Sequence, residues 1–212
     1  MIYDLHIHTY NSSCSILKPK TILNIAKKIG LDGIAITDHN TIKGGIEVSK
    51  ANKDKDFEVI PGIEVNTNRG HVLGLYVSQN INSRDFFEVV EDIKKQGGIA
   101  IIAHPFRLLP QLRSDIGGID IKKYLDAVEC YNARTSNFGN KNAIRFAEKN
   151  SLAKTGGSDS HFSFEIGRAV TVFDGELANA IQKGKTTARG SNLLGIFGST
   201  FSFFYKRIFR RW

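Results

Sequence analysis

An α/β fold built as one barrel-like domain is what this sequence predicts, and three observations carry that expectation. Short apolar, β-branched runs alternate with longer segments of helical period, the pattern of βα units around a parallel sheet. Polar residues collect at the C-terminal ends of those runs, where a parallel barrel gathers its loops on one rim. At 212 residues the chain is long enough to bury most of its surface in a single domain.

Taken in order, Ile2 to His8 reads as the first strand and Pro19 to Ile29 as the first helix. The proline suits a first turn and Gly30 a C-terminal stop. Gly33 to Asp38 is the second strand, followed by a helix over Thr41 to Asn52. Glu58 to Glu64 and His71 to Val77 follow as strands, then a helix over Ser83 to Gln96 that Gly97 ends. The fifth and sixth strands are Ile99 to His104 and Ala127 to Tyr131. A helix over Asn140 to Asn150, a strand over Ala153 to Asp159 and a helix over Gly175 to Lys183 complete the domain.

Composition excludes whole classes. A chain 41% hydrophobic and 24% charged is neither disordered nor membrane-spanning in character. Two cysteines, Cys14 and Cys130, are too few for a disulfide framework. The first residues lack the basic stretch and apolar run of a secretory signal, so the expectation is a cytoplasmic protein with reduced thiols. The formal charge of +8 resembles a nucleic-acid signal until it is located. Six basic residues and no acid lie from Lys185 onward, leaving +2 for the first 184 residues. The basicity belongs to the tail and says little about the active site.

Asp4-Leu5-His6-Ile7-His8 is the sharpest local signal, since strand alternation sends His6 and His8 to one face. Asp4 falls on that face too, where it could accept a hydrogen bond from a ligand imidazole. Asp159-Ser160-His161 repeats the i, i+2 spacing at the last strand end, after the glycines of Thr155-Gly156-Gly157-Ser158. Asp38-His39, Glu64, His71 and His104 complete the set, so no histidine is left over. A lone histidine at a strand end is usually just hydrogen-bonded, but the recurrence of such residues at one expected rim points to a metal site. A carboxylate such as Glu64 can bridge two cations, and neutral imidazoles suit Zn, Mn or Fe rather than Ca.

Asp4-Leu5-His6-Ile7-His8-Thr9, Thr37-Asp38-His39-Asn40, Pro61-Gly62-Ile63-Glu64, His71-Val72-Leu73-Gly74-Leu75, Ala103-His104-Pro105 and Gly157-Ser158-Asp159-Ser160-His161 together resemble the PHP family, named for polymerase and histidinol phosphatase. The resemblance spans residues 1 to about 173. It implies a distorted (β/α)7 TIM-like barrel with two or three divalent metals at the rim, and phosphoesterase activity on small phosphomonoesters, nucleotides or nucleic-acid ends. Carried over, it implies that His6, His8, Glu64 and Asp159 hold one metal, Glu64, His71 and His104 a second, and His39 and His161 a third. Many relatives have an Asp or His in the loop after the first motif. This chain has Ser13 or Cys14 there. A Cys14 thiolate would favour zinc; alternatively Cys14 packs, or a water completes the site.

Close cations would lower the pKa of a water toward neutrality and neutralise the phosphoryl oxygens under attack. His39 or His161, if not fully engaged by metal, would protonate the leaving oxygen, and Asp38 beside His39 joins the catalytic set. Phosphate recognition calls for a guanidinium fork. Arg134, in Glu129-Cys130-Tyr131-Asn132-Ala133-Arg134, is the first choice, since relatives often bind substrate phosphate with an Asn and an Arg here; Asn132 goes with it and Arg107 is second. The competing reading is a non-catalytic nucleic-acid-binding barrel like the one in a ribonuclease P protein subunit, which typically lacks a full ligand set. The ligands present here argue against it. A metal-dependent hydrolase of non-phosphate substrates is the third reading, separated by whether inorganic phosphate inhibits.

The domain expected over residues 1 to 184 is followed by a basic tail over 185 to 212. In it Gly184 to Gly190 reads as linker, and Leu193, Phe197, Phe201, Phe204 and Ile208 recur at helical spacing opposite Lys206, Arg207 and Arg210. This C-terminal amphipathic helix would dock on the barrel, meet an oligomer partner or an anionic membrane surface, or help grip nucleic acid.

Overall fold

A computed structural model describes residues 1–108, 114 and 120–192. The expected amphipathic helix from Leu193 onward lies outside the described residues. Nine strands form one sheet in the order β7-β6-β5-β4-β3-β2-β1-β8-β9. The strands are β1 (Ile2–Ile7), β2 (Gly33–Ile36), β3 (Glu58–Thr67), β4 (Gly70–Leu75), β5 (Ile99–Ile102), β6 (Ala127–Asn132), β7 (Ala153–Gly157), β8 (Ala169–Phe173) and β9 (Thr186–Gly190). The helices are α1 (Pro19–Lys28), α2 (Lys43–Ala51), α3 (Phe86–Lys95), α4 (Asn137–Lys149) and α5 (Leu177–Gln182). Among the described residues no helix is long and apolar enough to cross a membrane.

All seven expected strands are present, in a distorted α/β barrel. The expectation of a wholly parallel sheet is corrected at β4, which pairs antiparallel with both β3 and β5. Only two residues, Asn68 and Arg69, separate β3 from β4, and a hairpin of that length cannot make the crossover that parallel pairing needs. The reversal decides where His71 goes. Standing near the start of β4, it lies at the same rim as residues at the ends of the parallel strands.

Two further strands escaped the sequence reading. β8 pairs antiparallel with β1 and β9, so residues 186–190, expected as linker, belong to the sheet. β9 carries polar Thr and Arg residues along an edge, which hides it from a search for apolar runs. α4 starts three residues earlier than expected because the Ser136 hydroxyl accepts from Gly139 N at 3.2 Å.

The sheet nearly closes on itself. Thr171 of β8 accepts from Gly156 N (2.8 Å) and donates to Gly156 O (3.0 Å), standing in for a backbone ladder between β7 and β8. Beyond β7, Ser160 bridges to β1 through His8 N to Ser160 O at 3.0 Å and Ser160 N to His6 O at 3.3 Å. One apolar cluster takes residues from every strand from β1 to β8, with Leu177, Ala180 and Ile181 of α5 against it. Two others bury the inward faces of α1 and α2 and of α3 and α4.

The Thr171 link generates a prediction. Thr171→Val keeps the shape and removes both hydrogen bonds, leaving the buried Gly156 N–H unpaired, so unfolding free energy falls by about 2 kcal/mol. The calorimetric midpoint then drops by roughly 4–8 °C, and Thr171→Ser recovers most of the loss.

Candidate metal centre

A β-bulge aims the first two histidines. Tyr3 and Asp4 of β1 pair with Gly33 and Ile34, but Ile7 pairs with Ile36, so Leu5 and His6 together face Ala35. The extra residue breaks the alternation. Tyr3 and Leu5 join Ala35 in one apolar cluster, whereas Ile7 joins Ile34 and Ile36 in another. Asp4 therefore does not support a ligand imidazole as expected. Its carboxylate accepts from the backbone N–H groups of His6 (3.2 Å), Ser158 (2.9 Å) and Gly167 (2.9 Å). Burial nonetheless pushes its pKa up to about 6.

The imidazole support comes instead from Glu129, which the sequence reading passed over as a site residue. Glu129 Oε1 takes a hydrogen bond from His6 Nδ1 at 2.8 Å, and Oε2 accepts from His104 N at 2.8 Å and Asn132 Nδ2 at 3.0 Å. The sequence signal was available: an acid inside the apolar run of β6. His8 is oriented by another unanticipated residue, Ser12. Its hydroxyl donates to Asp38 Oδ1 at 2.6 Å, and so can only accept from His8 Nδ1 (3.1 Å) and His39 N (3.0 Å). His161 Nδ1 donates to the Asp159 carbonyl at 2.8 Å. In each of these three rings the Nδ1 proton is spoken for and Nε2 is turned to the centre.

At that centre lies Glu64, 1% exposed. Its Oε1 is 2.7 Å from His71 Nδ1 and 3.1 Å from His104 Nε2. Oε2 is 2.9 Å from His39 Nδ1, 3.3 Å from His8 Nε2 and 3.5 Å from His6 Nε2. Asp159 Oδ1 lies 3.3 Å from His8 Nε2 and 3.7 Å from His6 Nε2, which are 3.1 Å from each other. Donor atoms around a tetrahedral cation with bonds of about 2.1 Å sit about 3.4 Å apart, so these separations suit one. Glu64 Oε2 and His39 Nδ1 face each other without hydrogen-bond alignment and remain unpartnered. Buried polar atoms left so are rare, and a cation would satisfy them. Among the described residues the convergent sets are His6, His8 and Glu64; His39, Glu64 and His71; and His8, His39 and His161.

Electrostatics follow the geometry. Burial favours neutral groups, but at His6 it is outweighed by the carboxylates of Glu129, Asp159 and Glu64, and its pKa rises. His8 rises through Asp159 and Glu64 against the same burial. For His39, burial is overcome by Glu64 and the pKa is pushed up to about 9. Glu64 and Asp159 are held well below the usual carboxylate range despite burial, by their imidazole neighbours and, at Asp159, by Arg107. His161 stays low through burial and the nearby Arg134.

The remaining candidates divide. Arg107 reaches the centre through Nη1 to Asp159 Oδ2 at 3.0 Å. Arg134 is engaged with Glu165, Nε to Oε1 at 2.8 Å and Nη2 to Oε2 at 3.4 Å. Glu165, also unanticipated, accepts from the backbone N–H of His161 and Phe162, so this pair braces the His161 turn. Asn132 is satisfied from within, donating to Glu129 and Asp159 and accepting from Arg134 N and Thr135 Oγ1. Asp38 is sequestered by Thr9 N, Thr9 Oγ1 and Ser12 Oγ, which makes it a brace for the loop after β1. Cys14 Sγ is 3.0 Å from His161 Nε2. Backbone strain marks the rim: His104 and Asp159 have φ of 30° and 56°, values that non-glycine residues hold only at a cost.

Comparison with known proteins agrees with this geometry. An uncharacterized protein of Methanocaldococcus jannaschii is 34% identical over 184 residues, covering 82% of this chain and 70% of its own length; another from the same organism is 40% identical over 142 residues, 61% and 81% of the two chains. Of solved structures, PsfC from Pseudomonas syringae superposes with a TM-score of 0.68 at 20% identity over 97% of both chains. A protein assigned as a metal-dependent phosphoesterase from Bifidobacterium adolescentis gives 0.65 at 18% identity, over 76% of this chain and 88% of its own. The PHP domain pattern matches residues 4–152 and that of a PHP-associated region residues 137–186. The chain belongs to the PHP domain family.

Proposed function

We propose that this chain is a metal-dependent phosphoesterase that hydrolyses a small phosphomonoester, a nucleotide or a nucleic-acid end. The observation that carries the reading is Glu64, whose two buried oxygens face different imidazole sets. Oε1 with His71 and His104 would hold one divalent ion; Oε2 with His6, His8 and Asp159 would hold another. Such ions, Zn, Mn or Fe by donor chemistry, supply an acidified water and neutralise phosphoryl charge. A 5'-3' exoribonuclease of Haemophilus influenzae, 39% identical over 77 residues, supports a phosphate-ester substrate, although that match spans 34% of this chain and 28% of the enzyme.

The chain's own groups do the rest. Glu129 and the Ser12–Asp38 pair fix the His6 and His8 rings, so no reorganisation is needed when substrate arrives. Arg107, beside Asp159, would take a phosphoryl oxygen, and Arg134 with Glu165 holds the His161 turn in place. A non-catalytic role in nucleic-acid binding would leave so complete a buried ligand set without a purpose. The tail beyond residue 192 is proposed as a docking segment for the barrel, an oligomer partner or an anionic surface.

Two predictions follow from the centre. Purified protein hydrolyses a chromogenic phosphate ester only with added Mn or Zn, inorganic phosphate inhibits competitively, and His6→Ala abolishes the rate. Glu129→Gln costs about 10- to 100-fold in rate or metal affinity. A metal-dependent hydrolysis of amides that phosphate leaves untouched would sink the phosphoesterase reading. The His39 pKa, pushed up to about 9 by Glu64, means that this ring holds a proton near neutral pH without metal. Metal uptake therefore releases protons and weakens as pH falls. Titration calorimetry in buffers of different ionisation heat checks this; a buffer-independent heat contradicts it.

A further inference from the structure

The described residues end on the rim side of the barrel, at a place fixed by the last strand. β9 runs antiparallel to β8, which runs antiparallel to β1, so β9 rises in the same sense as the strand that carries His6 and His8. Gly190 passes close over Tyr131, where a Cβ would come within 2.7 Å of the ring. Ser191 N then donates to Arg168 O at 2.7 Å, and Asn192 Nδ2 donates to Thr135 O at 3.1 Å. The chain from Leu193 onward therefore leaves between the loops that follow β6 and β7, which Arg134 and Glu165 tie together. Each side of that exit presents an aromatic ring to solvent. Phe138, in the first turn of α4, is 68% exposed. Phe164, stacked on Phe162 with centroids 5.9 Å apart, is 47% exposed.

We infer that residues 193–212 of the same chain dock on this face, with their apolar side against Phe138 and Phe164. The inference narrows the tail's docking role to one surface, rests on that role, and is independent of phosphate-ester chemistry. Leu193, Phe197, Phe201, Phe204 and Ile208 share one side at helical spacing, and such a side is stabilised by an apolar counterpart that removes it from water. As a helix the segment would reach about 30 Å, the breadth of a small domain, which is enough to cross the exposed rings from its anchor at Asn192. Lys206, Arg207 and Arg210 fall largely on the opposite side by the same spacing, so docking leaves their charges in water. The tether decides among occupants. Asn192 holds the start of the segment between the two loops, so docking within the chain avoids the translational and rotational loss of recruiting a separate partner.

The test is tryptophan fluorescence of the full chain, whose one tryptophan is Trp212. Phe201→Trp combined with Trp212→Phe moves that reporter to the apolar side of the tail. The emission is read in buffer, with phosphatidylserine vesicles and with an RNA oligonucleotide, over a wide range of protein concentration. The expected result is a blue-shifted, acrylamide-protected emission in buffer that neither protein concentration, vesicles nor RNA changes. Phe138→Gln and Phe164→Gln, each of which leaves the circular dichroism intact, shift it to the red and expose it to acrylamide. A solvent-like emission in buffer overturns the docking, as does a blue shift that grows with protein concentration or arises only with vesicles or RNA. A blue shift that neither rim substitution alters overturns this surface while leaving the tail's docking role in place.

Discussion

A carboxylate 1% exposed in the rim of a barrel loses several kcal/mol of hydration unless positive charge compensates it. Glu64 is that carboxylate, and the arrangement of the rest of the rim answers its demand. Five imidazole nitrogens stand within 3.5 Å of it. Without cations the rings themselves must carry the compensating protons, which is why His6, His8 and His39 titrate high while Glu64 titrates low. Cations would take over that role and free the protons.

The fold's irregularities make sense as ways of bringing these groups to one point. The bulge in β1 separates His6 from Asp4, which regular alternation would put on the same face. A second register shift in β6, between Glu129 and Tyr131, places Asn132 beside Glu129 and Asp159. The reversed β4 delivers His71 from the start of a strand rather than its end. Gly157 lets β7 close against β1, since a Cβ there would fall on His6 and Glu129. Strained φ values at His104 and Asp159 are held by the surrounding hydrogen bonds.

Much of this was legible in the sequence because ligand chemistry is repetitive. His6, His8, His39, Glu64, His71, His104, Asp159 and His161 could be gathered from spacing and position alone, and the family pattern follows from the same residues. What was not legible depends on tertiary placement. Glu129 stands inside the apolar run of β6, but its partners His6 and His104 come from other parts of the chain, and nothing local ties Ser12 to Asp38 or Glu165 to Arg134. Asp4 was misplaced because a bulge cannot be seen in alternation. β9 was missed because an edge strand needs no apolar run.

The most direct test of the central claim is anomalous diffraction from crystals grown with zinc or manganese, recorded on either side of the metal edge. The account predicts two peaks flanking Glu64, one toward His71 and His104 and the other toward His6, His8 and Asp159. A map without peaks, with Glu64 bonded directly to protonated imidazoles at saturating metal, would contradict it.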